Sequence, residues 1–205
     1  MLRGSATTSS STVRPERQET IALTDSAEFD DLTDEVRARF ARVRLLCLDV
    51  DGVLTDGGLH YTESGEEMKT FSTQDGHALK MLAASGVATA IITGRRTQLV
   101  ARRADELGIE HLFQGAHDKR EALAELLART RLTADAVAHM GDDIPDLPVL
   151  RRVGLAIAPA NLHPALRAHV HHVTREMGGQ GAVREACEFL MRAQGTWDHA
   201  LAAFL

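Results

Sequence analysis

The stretch LLCLDVDGVLTDGG runs from Leu45 to Gly58. It places Asp49, Asp51 and Asp56 directly behind an almost wholly apolar run. Such a run is typical of a strand buried on both faces of a sheet, where a bare carboxylate is costly to keep. The pattern therefore predicts a buried strand whose carboxyl end carries a polar site that offsets the charge of its aspartates.

Further apolar runs follow the first and alternate with helical patterns. The strand-like runs are VATAIIT, IEHLFQG, AVAHMGD, VGLAIA and HVHHVT, and the helical patterns include DGHALKMLAAS, TQLVARRADELG and DKREALAELLART. Buried strands separated by helices predict an α/β fold with a doubly wound, mainly parallel sheet. In sheets of this kind a ligand lies at the carboxyl ends of the strands.

One segment departs from this alternation and predicts a β-hairpin. GGLHYTESGEEMKTFS contains two alternating, strand-like pieces around Ser64 and Gly65. We expect this hairpin, from Gly58 to Ser72, to be inserted after the first strand. It is too short to be a cap domain.

Composition and length bound the organisation of the chain. With 205 residues, of which 44% are hydrophobic, the chain is long enough for one domain with its own core. An amphipathic pattern predicts a lead-in helix over residues 26–43, before a main domain over 44–195. We expect a disordered tail over 1–25, which is rich in Ser and Thr, and a C-terminal tail over 196–205.

The charge and cysteine content point away from several classes of partner. The net charge is −6, and no long Lys/Arg block is present, which disfavours nucleic acid. No apolar run approaches the ~20 residues of a membrane span, so we expect no membrane partner. Cys47 and Cys187 predict reduced core thiols, and hence a cytoplasmic protein.

Polar residues follow three later strands as well as the first. Asp49 and Asp51 are two residues apart, so an extended backbone points both side chains the same way. The later strand ends present Thr93, Gly94 and Arg95, then Lys119, and then Asp142, Asp143 and Asp146. Because the carboxyl ends of parallel strands meet at one edge of a sheet, we expect these residues to line one crevice.

Together these residues are suited to surround a phosphoryl group. Asp49 and Asp142 would hold Mg²⁺, with a backbone carbonyl and waters completing its oxygen shell. Lys119, the Thr93 hydroxyl and the backbone amides near Gly94 would bind the phosphate oxygens. The metal and the ammonium would also offset the repulsion between the clustered acids.

The reaction predicted for this crevice is a covalent phosphoryl transfer. The Asp49 carboxylate would attack phosphorus to form an aspartyl-phosphate, and Asp51 would carry the proton to the leaving oxygen. A receiver-like phospho-acceptor domain is the alternative, because receivers also form an aspartyl-phosphate. Receivers place the accepting aspartate on a middle strand of the chain, whereas here it follows the first strand.

Several motifs resemble those of a known family. DVDGVLTDG, ITGR, the Lys119 position and GDDIPD are similar, in this order from Leu45 to Pro159, to the four motifs of the haloacid dehalogenase superfamily phosphatases. From Arg44 to about Gly195 the chain more closely resembles the 3-deoxy-D-manno-octulosonate 8-phosphate phosphatases. This likeness is carried by GEEMKTFSTQDG, AIITGRRTQLVARRADELGI, HLFQGAHDK, GDDIPDLPVL and VTREMGGQGAVREAC. It implies a small, Rossmann-like phosphatase domain without a cap domain, which depends on Mg²⁺ and forms a homotetramer.

The resemblance also implies roles for single residues. Asp49 would be the nucleophile, Asp51 the acid/base and the donor of a metal-binding carbonyl, and Asp142 the remaining metal ligand. Lys119 would contact the phosphate. Further contacts to a sugar acid phosphate would come from Ser72, Thr73, Gln74, Asp75, Gly76, Lys80, Arg95 and Arg103.

The proposed substrate loop departs from the family pattern at three places. The segment STQ, Ser72 to Gln74, stands where familiar members carry an Asn and an Arg, so one bidentate carboxylate donor is lost. Lys80 stands where Arg is commoner, and Lys is not an equivalent fork. His77 stands where an apolar or aromatic residue is more familiar. Both an eight-carbon and a nine-carbon sugar acid phosphate therefore stay open as substrates.

The hairpin further predicts an assembly of subunits. Its alternating apolar residues are expected to form one side that is costly to leave in water: Leu59, Tyr61, Met68 and Phe71. A closed ring of subunits would bury that side in each copy equivalently. We expect the hairpin and the GGQGAVRE segment to reach a neighbour's crevice, where Arg184 would meet the substrate carboxylate.

Overall fold

The computed structural model describes Met1, residues 29–65 and residues 67–205. The tail predicted over 1–25 lies, Met1 apart, outside the described residues, and so do residues 26–28 of the predicted lead-in helix. In the described part of the chain, no helix combines the length and the apolar character that crossing a membrane requires.

A parallel sheet forms the centre of the fold. Its strands are β1 (Leu45–Leu48), β4 (Ala88–Thr93), β5 (His111–Gln114), β6 (Val137–Met140), β7 (Leu155–Ala158) and β8 (His172–Val173). Their order is β5-β4-β1-β6-β7-β8, and all neighbours are parallel. The predicted doubly wound sheet is confirmed, with β1 between β4 and β6.

Helices cover both faces of the sheet. One face carries α1 (Asp34–Arg42), α2 (Thr73–Ala84), α3 (Gln98–Leu107) and α6 (Ala182–Ala193), and the other carries α4 (Lys119–Thr130) and α5 (Leu147–Leu150). Along β1, Leu46 and Leu48 pack into the first layer, whereas Leu45 and Cys47 pack into the second. The strand is buried on both faces, as its apolar composition predicts. Cys47 and Cys187 are free, buried thiols.

The two ends of the domain differ from their predicted bounds. The lead-in helix, predicted over 26–43, spans Asp34–Arg42 in α1, because Thr33 caps it by accepting from the Val36 N–H at 3.3 Å. A further helix, α7 (Trp197–Ala202), lies within the predicted C-terminal tail. Trp197 packs against the core and under the Arg192 guanidinium, 5.0 Å from its ring centre, which ties this segment to α6.

The predicted hairpin is present as two short antiparallel strands, β2 (His60–Tyr61) and β3 (Glu67–Met68). His60 lies opposite Met68, and Tyr61 lies opposite Glu67. Because directly opposed residues share a face, Tyr61 and Met68 point to opposite faces. The prediction of one apolar side is therefore wrong. In this register Tyr61 shares its face with the charged Glu67, whereas Met68 is exposed on the other face.

Candidate active site

The strand ends of the central sheet meet at a crevice of about 440 Å³. Asp49 directly follows β1, and its backbone N–H donates to the Met140 carbonyl at 3.0 Å, which fixes its position against β6. The crevice is lined by the predicted residues Asp49, Asp51, Thr93, Gly94, Arg95, Lys119, Asp142, Asp143 and Asp146. The four polar strand ends thus converge as the parallel sheet requires.

Four buried side chains form the inner cluster of this crevice: Asp49, Lys119, His139 and Asp146. Lys119 is the first residue of α4 and only 4% exposed. Its Nζ lies 2.9 Å from an Asp49 oxygen and 2.7 Å from Asp146 Oδ1. His139 Nε2 lies 2.9 Å from the same Asp146 oxygen. One carboxylate oxygen of Asp146 therefore holds both the ammonium and the imidazole.

Burial and charge shift the pKa values in the inner cluster in different directions. Burial raises the pKa of Asp49, and the Asp146 charge adds to this against the opposing charge of Lys119. Burial would also raise the pKa of Asp146, but the hydrogen bonds of His139 and Lys119 hold it at about 2. Burial acts to lower the pKa of Lys119, yet the two carboxylates raise it overall. The charged Lys119 thus pairs with an ionised Asp146. Asp49 needs further positive charge nearby to stay ionised.

Asp142 lies beside the inner cluster, but its side chain is not hydrogen-bonded to it. Its Oδ1 is buried and has no hydrogen-bond partner within the described residues. Burial, followed by the charges of Asp49, Asp146 and Asp143, raises the pKa of Asp142 to about 7. One oxygen each of Asp49, Asp142 and Asp146 lie within 4.8 Å of one another. This donor set fits a hard divalent cation such as Mg²⁺.

Two glycines make room for these carboxylates. A Cβ on Gly52 would lie 2.0 Å from Asp142 Oδ2, and a Cβ on Gly141 would lie 2.3 Å from the Asp146 carboxyl carbon. Gly52 also has a φ of +89°, a conformation that other residues rarely adopt. The glycines of DVDG and MGDD are therefore part of the site. In the sequence, their role is indicated only by their place in these two motifs.

Asp51 belongs to a second group, the outer cluster, with Tyr61, Glu67, Lys69 and Arg95. The Lys69 ammonium hydrogen-bonds Asp51 and lies 3.2 Å from Glu67. Arg95 lies 3.7 Å from Asp51 and 3.1 Å from Glu67, and it donates to the Tyr61 hydroxyl at 2.9 Å. Burial acts to raise the pKa of Glu67, but Lys69 and Arg95 lower it overall. The hairpin therefore holds the Asp51 carboxylate in place.

Sequence reasoning missed several members of the two clusters. Glu67 and Lys69 are two residues apart and so project from the same face of the hairpin, with Tyr61 opposite Glu67. The charged residues Glu67 and Lys69, at this spacing in the hairpin that follows the DxD motif, are the sequence signal that could have identified the outer cluster. His139 is the lone polar residue inside the apolar run AVAHM. A buried ring in such a run needs a partner, and the sequence alone did not show which one.

Comparisons with known proteins agree with this geometry. The haloacid dehalogenase-like hydrolase family matches residues 66–154. A curated 3-deoxy-D-manno-octulosonate 8-phosphate phosphatase of Yersinia pestis is 46% identical over 82% of this chain and 90% of its own length. The chain belongs to the haloacid dehalogenase-like hydrolases. It falls among the phosphatases of that family.

Solved structures extend the likeness to the whole domain. A probable YrbI family phosphatase of Pseudomonas syringae is 52% identical with a TM-score of 0.82, covering 84% of this chain and 98% of its own. A 3-deoxy-D-manno-octulosonate 8-phosphate phosphatase of Moraxella catarrhalis, in complex with a magnesium ion, a phosphate ion and KDO, is 41% identical with a TM-score of 0.83. That likeness covers 84% of this chain and 99% of the other. The haloacid dehalogenase-like fold is therefore common to these proteins, and the described part of this chain contains no cap domain.

The loop predicted to contact substrate forms the start of α2 in this haloacid dehalogenase-like hydrolase. Ser72 caps the helix, and the first turn contains Thr73, Gln74, Asp75 and Gly76. Arg103 donates to the Ser72 carbonyl at 3.1 Å, and its guanidinium lies over the Phe71 ring. None of these residues lines the crevice. Their contacts are made within the chain.

Lys80 and His77 lie away from the crevice as well. They line a largely apolar groove of about 490 Å³ between α2 and α7. The His77 ring contacts Phe204 at 5.2 Å between ring centres. Lys80 therefore lies outside the crevice of its own subunit.

Arg184 and the GGQG segment are also engaged within the chain. The Arg184 side chain, 44% exposed, pairs with Glu188 at 2.8 Å, and its backbone N–H donates to Asp75. A Cβ on Gly178 would lie 1.9 Å from the Gly52 carbonyl oxygen, and Asn161 bonds both glycines. The GGQG segment thus makes a close approach to the loop that follows β1, and its contact with a neighbouring crevice stays a prediction.

Proposed function

We propose that this protein is a Mg²⁺-dependent phosphatase that hydrolyses 3-deoxy-D-manno-octulosonate 8-phosphate through an aspartyl-phosphate. The observation that carries the proposal is the position of Asp49: it lies 2.9 Å from the Lys119 ammonium and belongs to the acid cluster with Asp142, whose Oδ1 has no partner among the described residues. The substrate is supported by the name of the Yersinia pestis relative and by the KDO in the Moraxella catarrhalis structure.

Phosphate binding is assigned to the inner end of the crevice. Lys119, the Thr93 hydroxyl and the backbone at Gly94 line it and provide donors for the phosphate oxygens. Asp49 and Asp142, together with the Asp51 carbonyl, would hold Mg²⁺. When bound, the ion supplies positive charge that offsets the phosphate dianion and the clustered acids.

The chain's own residues then perform two displacements. An Asp49 oxygen attacks phosphorus while the bond from phosphorus to the sugar oxygen breaks, and Asp51, which enters this step as the carboxylic acid, donates its proton to that oxygen and becomes a carboxylate. Asp51 next takes a proton from a water that attacks the same phosphorus, and the bond to Asp49 breaks. Inorganic phosphate leaves and both aspartates return to their first state. The outer cluster orients Asp51 for both proton transfers.

A homotetramer is part of the proposal, because no Lys or Arg that lines the crevice in the described part of the chain is left unpaired for the substrate carboxylate. Lys119 and Arg95, which line it, both pair with carboxylates within the described residues. Arg184 lies outside this crevice and is half-exposed. A neighbouring subunit is therefore the proposed source of a guanidinium for the sugar acid.

The decisive experiment measures phosphate release from three substrates: 3-deoxy-D-manno-octulosonate 8-phosphate, a nine-carbon keto sugar acid 9-phosphate and p-nitrophenyl phosphate. We expect the highest kcat/KM for the first, activity lost in EDTA and activity restored by Mg²⁺. A higher value for the nine-carbon compound would move the assignment to that substrate. Undiminished turnover in EDTA would contradict the metal assignment.

A further inference from the structure

His139 is a buried histidine that the reaction scheme above does not use. It lies in β6, in register with Cys47 of β1 and Ala156 of β7, and its side chain is inaccessible to solvent. Its neighbours in the sheet are small and apolar, so an aliphatic side chain would suit the position better than an imidazole. A ring buried here costs desolvation unless its polar atoms are used.

The ring uses one nitrogen, and that nitrogen faces Asp146. Nε2 lies 2.9 Å from Asp146 Oδ1, and because a carboxylate only accepts, we assign the hydrogen to Nε2. Nδ1 has no partner within the described residues. Among the described residues, the buried ring therefore makes a single hydrogen bond, and that bond is to Asp146 of the inner cluster.

The orientation of the Asp146 carboxylate depends on few hydrogen bonds besides this one. Its Oδ1 also accepts from Lys119 at 2.7 Å, while the one bond that the described residues donate to Oδ2 is a long one of 3.4 Å from the Asp143 N–H. Lys119 in turn lies 2.9 Å from Asp49. A rotation of the Asp146 carboxylate would therefore move the ammonium away from the atom that attacks phosphorus.

We propose that His139 is a positioning residue, which fixes the Asp146 carboxylate and thereby holds the Lys119 ammonium beside Asp49. The inference rests on the proposed phosphatase function, because it needs Lys119 to meet the phosphate. It does not depend on which sugar acid is the substrate.

The test compares two replacements of nearly equal length. His139→Gln keeps an N–H donor, and His139→Met removes it. We expect the Met variant to lose roughly 10- to 100-fold in kcat on p-nitrophenyl phosphate, since displacing a catalytic group by about 1 Å has effects of this size. Calorimetry of inorganic phosphate binding with Mg²⁺ should show a loss of about tenfold in affinity. The Gln variant should stay within about threefold of the parent in both measurements.

His171 provides the matched control, because its ring accepts from the Ala156 N–H at 2.8 Å, outside the crevice. His171→Met should leave kcat and phosphate affinity within about twofold of the parent. Circular dichroism and thermal unfolding check that each variant folds. If His139→Met does not fold, His139→Leu takes its place.

Equal losses in the Gln and Met variants would overturn the proposal, because the ring would then matter for its shape. Parent-like values in a folded Met or Leu variant would overturn it too, and so would failure of both to fold. Inactivity of the parent on sugar acid phosphates alone would contradict the proposed substrate. The phosphate-binding comparison would still decide the role of His139.

Discussion

The inner and outer clusters hold the two aspartates of the DxD motif in different ways. The inner cluster stands on strand ends and a helix start of the core, and its ion-paired side chains are at most 12% exposed. The outer cluster depends on the hairpin, and its Arg95 side chain is 41% exposed. Core elements hold the proposed nucleophile, whereas side chains of the hairpin and Arg95 hold the proposed proton carrier. Of the two aspartates, Asp49 of the inner cluster should therefore be the more sensitive to substitution.

The largest effect is expected for Asp49→Asn. An amide neither attacks phosphorus well nor binds Mg²⁺ as a carboxylate does, so kcat should fall on the order of 10⁴-fold or more. Phosphate release measures this, and mass spectrometry should find no phosphorylated variant. Asp143→Asn, at the crevice edge, is the control and should change kcat by less than about tenfold. Near-parent activity of Asp49→Asn would remove the proposed nucleophile.

A smaller loss is expected for Asp51→Asn in the outer cluster. General acid/base help is worth ~10²–10⁴-fold, and kcat should fall within this range. Because the proposed metal contact of Asp51 is its backbone carbonyl, Mg²⁺ affinity measured by calorimetry should stay within about threefold of the parent. A kcat within a few-fold of the parent would take the proton transfer away from Asp51.

The hairpin's share of the chemistry is tested by Lys69→Met. The side chain of Lys69 is almost wholly buried between Asp51 and Glu67. Its loss should misplace Asp51 and lower kcat by roughly 10- to 100-fold with little change in KM. Lys80→Met is the matched control and should change neither constant by more than about twofold. A raised KM in that control would restore Lys80 as a substrate contact and contradict its place in the groove beside α7.

The difference between the clusters also explains what the sequence reveals. Apolar runs define the strands, and parallel strands bring their ends together, so the convergence of Asp49, Lys119 and Asp142 follows from the pattern. The two-residue strands of the hairpin carry too little pattern to fix a register. For this reason the sequence does not show that Tyr61 and Met68 lie on opposite faces, or that Lys69 contacts Asp51. The contacts of His139 depend on side-chain directions across layers, which no spacing rule gives.

The smallest effect is expected for Arg184→Ala, which asks whether a neighbouring subunit completes the crevice. The Arg184 side chain is 44% exposed and pairs with the largely buried Glu188 four residues on, so its open side can receive a sugar carboxylate. KM for the sugar acid phosphate should rise about tenfold, and p-nitrophenyl phosphate, which lacks the carboxylate, should be unaffected. Arg102, which pairs with Glu106 at the same spacing on α3, is the matched control. Equal losses on both substrates, or a fully active monomer by light scattering, would show that each crevice works alone, with the hairpin as its only cover.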